Sequence, residues 1–524
     1  MVAIMSDARA LPRLVIAGMS GSSGKTIVSL GLLQLLRRAG IDVRAFKKGP
    51  DYIDAAWLTW ASSQQARNLD TYLMGRERVV DSFVRHATPD GLNIIEGNRG
   101  IFDGFDAEGT HSTAVLARCL SAPVILVVNA QKVTRTTAAF VLGCQKLDPT
   151  VAIRGVILNN VSSERHRDVI RTAIESECSI PVVGSLPHVK AGLLPERHLG
   201  LIPPQEHLTA DKLSERLFEL MEGKLDVDAL LSIARSAPPL PCVTESLAGS
   251  SVISKSAKNM FAGQDRGAPN VRIGYLSDAA FTFYYPENLE QLEREGAQLI
   301  PVSALDATAL PDNLQALYIG GGFPETHARR LSNNVSFLRS LRQAALHGLP
   351  IYAECGGLIL LARNLFWNGD RYPMAGVFPF DIEVCDSPQG HGYTTLRVDT
   401  PNSFFPVGVT LRGHEFHYSR ILPSGGTSAA KAGIENSPFI AALKRSTPPS
   451  QNRACRGPRR CATQNQSFST ACAVERGAGC FEQREFVMTN NVAATYTHLH
   501  AIASPEWAEG LVNAARRFSA QVPA

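Results

Sequence analysis

The sequence predicts an α/β protein of two domains, the first built on a doubly wound parallel sheet and the second on a further α/β sheet. Two observations carry this. Short apolar runs alternate with helical spacing through the first half of the chain, and a second series of the same kind starts afresh at Val271. Between them lies a stretch rich in Ser, Ala and Pro with no apolar periodicity. At 524 residues the chain is also too long for one core.

The first strand is read at Leu14 to Gly18, followed by a Ser/Gly loop and a helix marked by Val28, Leu30, Leu32, Leu33, Leu35 and Leu36. Further strands end beside polar residues: Val43–Phe46 before Lys47, Asn93–Ile95 before Glu96, Val124–Val128 before Asn129, and Val156–Leu158 before Asn159. Such strands separated by helices imply a doubly wound parallel sheet. The second series has strands at Val271–Leu276, Ala316–Ile319 and Pro350–Ala353. The expected division is 12–232 for the first domain, 233–270 for a linker and 271–524 for the second, with a low-complexity insertion at about 423–474.

A composition 44% hydrophobic and 19% charged suits a globular chain, and a net charge of +4 gives no electrostatic case for nucleic acid or an anionic membrane. No apolar run reaches membrane-spanning length and MVAIMSDARALPR lacks a signal-type apolar core, so the expected location is cytoplasmic. Ten scattered cysteines are read mostly as free thiols. Within or just beyond the insertion, Cys455, Cys461, Cys472 and Cys480 lack the close pairing of a zinc site.

Three stretches carry chemistry in the first domain. Gly18-Met-Ser-Gly21-Ser22-Ser23-Gly24-Lys25-Thr26 joins a strand to a helix, which is where backbone N–H groups and a helix N-terminus can cradle phosphates. Gly21, Ser22, Ser23, Gly24, Lys25 and Thr26 are therefore the expected ATP-binding residues, with Thr26 free to ligate Mg²⁺. Lys47-Lys48-Gly-Pro-Asp51-Tyr52-Ile-Asp54 and Glu96-Gly-Asn-Arg-Gly-Ile-Phe-Asp103-Gly follow later strands on the same sheet edge. Amidating a carboxylate needs this mixture of groups, because the carboxylate oxygen must first become a leaving group, and phosphoryl transfer from ATP makes it one.

The phosphate loop has one residue more between its first glycine and Gly-Lys-Thr than the common form, a feature similar to dethiobiotin synthetase-like ligases. The three stretches together, with Ser185-Leu-Pro-His188, resemble the cobyrinic acid a,c-diamide synthase family. That resemblance implies ATP and Mg²⁺ as co-substrate and cofactor. It further implies Thr26, Asp51 and Glu96 as metal or acyl-activating residues, and Lys48, Asp51, Tyr52 and Asp103 near the substrate.

In the second domain Tyr352-Ala-Glu354-Cys355-Gly356-Gly357 runs from strand to helix, so Cys355 sits at an exposed turn where the helix N-terminus favours thiolate. Gly320-Gly321-Gly322 offers oxyanion donors, from Gly321, Gly322 and Gly356, and His498 and His500 are late base candidates. The set is similar to class I glutamine amidotransferase domains of corrinoid ligases, which implies Cys355 and His498 as the catalytic pair. No carboxylate follows His498 by two residues, and Glu415 is the candidate to orient it.

The resemblance implies amidation of the a and c acetates of a cobyrinate-type macrocycle, with L-glutamine, ATP and a corrinoid acid as small-molecule partners; a homodimer stays open. Cobyric acid synthase and nickel-sirohydrochlorin a,c-diamide synthase remain alternatives. A P-loop partitioning or scaffold ATPase would explain Gly18–Thr26 but leave Cys355 and His498 without a role.

Overall fold

A computed structural model of the chain describes residues 8–188, 193–194, 196–197, 200–204, 210–241, 271–422 and 468–521. The chain forms two compact units. One comprises Met1–Gly267, Phe283–Glu295 and His500–Glu509, and the other Ala268–Thr282, Gly296–Leu499 and Gly510–Ala524.

The first unit is built on seven strands: β1 (Arg13–Gly18), β2 (Val43–Lys48), β3 (Arg67–Leu69), β4 (Leu92–Glu96), β5 (Val124–Asn129), β6 (Ile153–Val161) and β7 (Val182–Pro187). Their order is β3-β2-β4-β1-β5-β6-β7, all parallel. Strand order reverses at β1, so the loop after β1 lies where open α/β sheets bind ligands. Helices cover both faces, and β1 is accordingly buried along its whole length. Helix α1 (Lys25–Arg38) turns Leu30, Leu33 and Leu36 into this core, while α2 (Tyr52–Ser62) adds Trp57 and Leu58. Asp51 caps α2 by accepting the Asp54 N–H at 2.9 Å.

The second unit carries a ten-stranded mixed sheet. Its first four strands in sequence, all parallel, are β8 (Val271–Leu276), β9 (Ala297–Val302), β10 (Ala316–Ile319) and β11 (Ile351–Glu354). The remainder is β12 (Gly390–Val398), β13 (Thr410–His417), β14 (Ser469–Arg476), β15 (Arg484–Thr489), β16 (Val492–Thr495) and β17 (His498–Leu499). The order β9-β8-β10-β11-β16-β15-β14-β12-β13-β17 sets β11, which leads to Cys355, beside β16, which leads to His498. Both units thus have the α/β architecture expected, the first a doubly wound parallel sheet and the second a mixed sheet with a parallel half.

One expectation is corrected. The stretch read as a loose insertion to Val474 ends earlier, because Ser469–Arg476 is β14, paired antiparallel with β12 and β15, and Cys472 on it is fully buried. Alternation of Thr, Cys and Val with small residues over six positions was hidden by the polar sequence before it. Residues 423–467, with Cys455 and Cys461, and residues 242–270 of the expected linker lie outside the described residues. The other end of that linker closes a helix, Val227–Arg235, and pairs Leu240–Pro241 with Ala8–Arg9. Among the described residues seven cysteines are free thiols, and no helix is long and apolar enough to cross a membrane.

Candidate active site

The phosphate loop follows from its residues. Gly24, at φ +94°, ends it in the left-handed region, and a Cβ there would lie 2.1 Å from Asn159 Nδ2, so only glycine fits. Asn159, at the end of β6, donates Nδ2–H to the Ser23 carbonyl at 3.0 Å and braces the loop from behind. Ser23 Oγ closes it from within, accepting from Ser20 N at 3.0 Å. Gly21 and Ser22 stay exposed at the tip. Lys25 folds over the loop and donates to the Ser20 carbonyl at 2.8 Å. Burial pulls its pKa down to about 8, with the Lys47 charge adding to the effect.

At the inner end of the loop the three expected stretches meet. Thr26 Oγ1 donates to Glu96 Oε1 at 2.9 Å, and Lys47 Nζ reaches the same oxygen at 2.9 Å and Asp54 Oδ2 at 2.5 Å. Burial alone would lower the Lys47 pKa, but the charges of Asp54, Glu96 and Asp51 outweigh it and hold the ammonium firmly. Glu96 is fully buried and shifted upward, first by burial. Asp51 is pushed up to about 7 by its removal from water and then by the charge of Asp54. Glu96 Oε2 is buried with no hydrogen-bond partner among the described residues, next to a threonine hydroxyl. Such an orphaned carboxylate oxygen fits a hard cation that completes its shell with phosphates and water. Among the described residues no group of three or more His, Cys, Asp or Glu forms a metal site by itself.

The remaining residues expected near the substrate spread over this edge. Lys48 is buried, and burial lowers its pKa against the pull of Asp70. Tyr52 stacks on Phe283 with ring centroids 5.0 Å apart and meets Tyr285 in a tilted contact at 4.5 Å, within the first unit. Asp103 accepts the Gly100 N–H at 2.8 Å and closes its own loop, which hangs on the phosphate loop through Ile101 N and the Gly18 carbonyl at 2.7 Å. Lys47, Asp54 and Asn159 are the functional-looking residues that the candidate set left out. The signal was a polar residue near a strand end for Lys47 and Asn159, and for Asp54 a place in the first turn of α2 on the same edge.

In the second unit Cys355 stands between β11 and a short helix at Gly356–Leu361, with φ +46° and ψ −95°. That strained turn is what a nucleophile elbow requires. A Cβ on Gly356 would meet Gly322 N at 3.0 Å, so these two glycines let the backbone amide of Gly322 approach the cysteine turn, and Gly321 lies alongside. Cys355 N donates to the Thr495 carbonyl at 2.7 Å, which ties the turn to the segment carrying His498.

Two expectations about this pair are corrected. The thiol is not poised as thiolate: burial, then the charges of Glu325, Glu354 and Glu415, push Cys355 up to about 12. A six-residue helix does not offset that burial and three carboxylates. Nor does Glu415 orient His498. That role falls to Glu354, whose Oε2 lies 3.3 Å from His498 Nδ1 and whose Oε1 accepts the Leu499 N–H at 3.2 Å. Tyr318 and Tyr352 hydroxyls donate to the same carboxylate at 3.3 and 3.2 Å. A carboxylate there fixes the imidazole proton on Nδ1 and leaves Nε2 as the basic nitrogen. His414 stacks against the ring, centroids 5.1 Å apart. His500 belongs to the first unit, packed on Tyr285 with Nε2 3.7 Å from Glu287, and burial drives its pKa down to about 3.

Comparison with known proteins agrees with both halves. The CobQ/CobB/MinD/ParA nucleotide binding domain matches residues 14–202, and the CobB/CobQ-like glutamine amidotransferase domain matches residues 272–437. Cobyrinate a,c-diamide synthase of Magnetococcus marinus is 38% identical over 95% of this chain and 96% of its own. That of Caldanaerobacter subterraneus is 40% identical over 78% and 86%, and that of Dehalococcoides mccartyi 36% over 97% and 99%. The chain belongs to the cobyrinate a,c-diamide synthase family. As a member of that family it is a glutamine-dependent amide ligase with a nucleotide-binding domain.

Proposed function

We propose that the chain amidates the a and c acetate carboxylates of a cobyrinate-type macrocycle, using ATP and glutamine. Support comes from the co-occurrence in one chain of a braced phosphate loop and a cysteine elbow backed by a carboxylate–histidine pair. A switch ATPase needs the first and has no use for the second.

In the ligase half, Lys25 leaves the loop carbonyls for the terminal phosphates of ATP, and the substrate carboxylate attacks to give an acyl phosphate and ADP. Thr26, Glu96 and Asp51 are the residues that would hold Mg²⁺. The ion would offset phosphate charge there. Lys47, held among Asp54 and Glu96, supplies a fixed positive charge at the same edge. Lys48, Tyr52 and Asp103 would contact the corrinoid acid.

In the glutaminase half, His498 Nε2 takes the Cys355 proton as sulfur attacks the glutamine amide carbon, and the resulting imidazolium is stabilised by Glu354. The oxyanion is stabilised by amides of the Gly321–Gly322 and Gly356 backbone. Protonation by His498 expels ammonia, water then cleaves the thioester to glutamate, and ammonia displaces phosphate from the acyl phosphate to form the amide. Incubation with ATP, Mg²⁺, glutamine and cobyrinic acid should give a diamide by mass spectrometry, with each hydroxyl exchanged for an amino group. ADP release that needs neither glutamine nor a corrinoid acid would refute it.

A further inference from the structure

Glu415, relieved of the role of orienting His498, stands on β13 two residues before His417, so strand alternation puts both side chains on one face. Both are buried, at 3% and 5% exposure. Glu415 Oε1 accepts the Ala478 N–H at 2.7 Å, while Oε2 has no hydrogen-bond partner among the described residues. His417 Nδ1 lies 2.7 Å from the Ser419 carbonyl, and since a carbonyl only accepts, the ring proton is on Nδ1. Its Nε2 is then a bare acceptor, also without a partner, 3.8 Å from Glu415 Oε2. A proton on Nε2 would not mend this, because 3.8 Å is too long for a hydrogen bond. Two buried acceptors face each other with no donor, a costly arrangement unless a ligand supplies one. Among the described residues no lysine or arginine pairs with Glu415 or with nearby Glu485.

The pair is closely packed and lies near enough to the nucleophile for the Glu415 charge to act on the Cys355 thiol. A Cβ on Gly390 would sit 2.4 Å from His417 Nε2 and 3.0 Å from Glu415 Cδ. The His417 ring stacks on Tyr496, centroids 3.7 Å apart at 3°, and the preceding residue, Thr495, accepts the Cys355 N–H. Glu485 Oε1 is occupied, holding Thr495 Oγ1 at 2.6 Å and Tyr496 N at 2.7 Å, so it fixes the segment rather than taking a ligand. Its second oxygen, also without a partner, adds negative charge to the same surroundings.

We propose that Glu415 and His417 bind the α-ammonium group of glutamine. An –NH₃⁺ offers three donors, enough for both acceptors, and is the positively charged end of a substrate whose amide must reach Cys355. This rests on the reading that Cys355 hydrolyses glutamine.

The test compares glutamine with glutaramate, the same acid amide lacking the α-amino group, by kcat/KM for hydrolysis in the full chain. Wild type should prefer glutamine by about 10–100-fold, the value of a charge-assisted hydrogen bond. Glu415→Gln should bring the ratio near one by losing glutamine turnover while glutaramate turnover stays within a few-fold. Glu415→Asp, which keeps the charge, should keep part of the preference and serves if Glu415→Gln does not fold. A wild-type ratio near one overturns the proposal. So does a Glu415→Gln variant that loses both substrates equally with the ratio preserved. Hydrolysis of neither substrate by wild type would overturn the glutaminase reading itself, and this inference with it.

Discussion

Replacing Glu354 by glutamine tests how His498 is made a base. The carboxylate receives four donors: Leu499 N–H and the Tyr352 hydroxyl on Oε1, and His498 Nδ1–H and the Tyr318 hydroxyl on Oε2. A glutamine of the same shape must keep its carbonyl toward Leu499, because a backbone N–H cannot reverse its role. Its NH₂ therefore takes the Oε2 position. Tyr318 can rotate its hydroxyl and accept, but His498 can accept on Nδ1 only by moving its proton to Nε2. The nitrogen that should take the Cys355 proton is then already protonated, and the charge that would stabilise the imidazolium is gone. In another enzyme a buried carboxylate-to-amide change of this kind costs about 10⁴-fold, so a loss on the order of 10³–10⁴ is expected in glutamine hydrolysis. Glutamate release in a coupled assay measures it, with ammonium-supported amidation as the control that the chain is intact. Glutaminase activity within about tenfold of wild type would refute the reasoning, since a general base contributes about 10²–10⁴.

Other predictions follow from the same contacts. Lys25→Ala should abolish amide formation with either glutamine or ammonium salts, because both routes need the acyl phosphate, while some glutaminase activity remains; product at the wild-type rate would remove Lys25 from the phosphates. His498→Asn should cut glutamine-dependent turnover by about 10²–10⁴ and spare ammonium-dependent turnover, whereas His500→Asn should act weakly on glutamine hydrolysis. The reverse ranking would reassign the base. Alkylation of Cys355 in the free enzyme should be slow and climb with pH: a shift from 9.0 to about 12 lowers the thiolate fraction at neutral pH by about 10³. A raised acid pKa favours the protonated form, so the sign is a rate that keeps rising above pH 9.0 rather than levelling below it. A plateau near neutral pH would mean a thiolate formed before substrate arrives.

Much of this was legible in the residues, for physical reasons. The phosphate loop declares itself because Gly24 must be glycine and Lys25-Thr26 must open a helix, and parallel strands buried on both faces read as plain apolar runs. The cysteine elbow is equally local. Partners from distant segments were not legible. Glu354 was overlooked although it precedes Cys355, because its link to His498 spans 144 residues and depends on β11 lying beside β16. The same limit makes a helix N-terminus look sufficient to ionise Cys355, when burial by the folded chain, and after it the charges of Glu325, Glu354 and Glu415, hold the proton on. β14 was missed because a polar run precedes it, and the assignment of Phe283–Glu295 and His500–Glu509 to the first unit has no sequence signal at all.

The claim that two separate sites cooperate in one amidation is tested most directly by Cys355→Ala assayed with both nitrogen donors. Product is measured by mass spectrometry of the corrinoid acid after incubation with ATP and Mg²⁺. Synthesis from glutamine should vanish, while synthesis from concentrated ammonium salt should continue near the wild-type rate, because the acyl-phosphate chemistry proposed for Lys25, Thr26 and Glu96 needs no thiol. Equal loss with both donors would contradict the account.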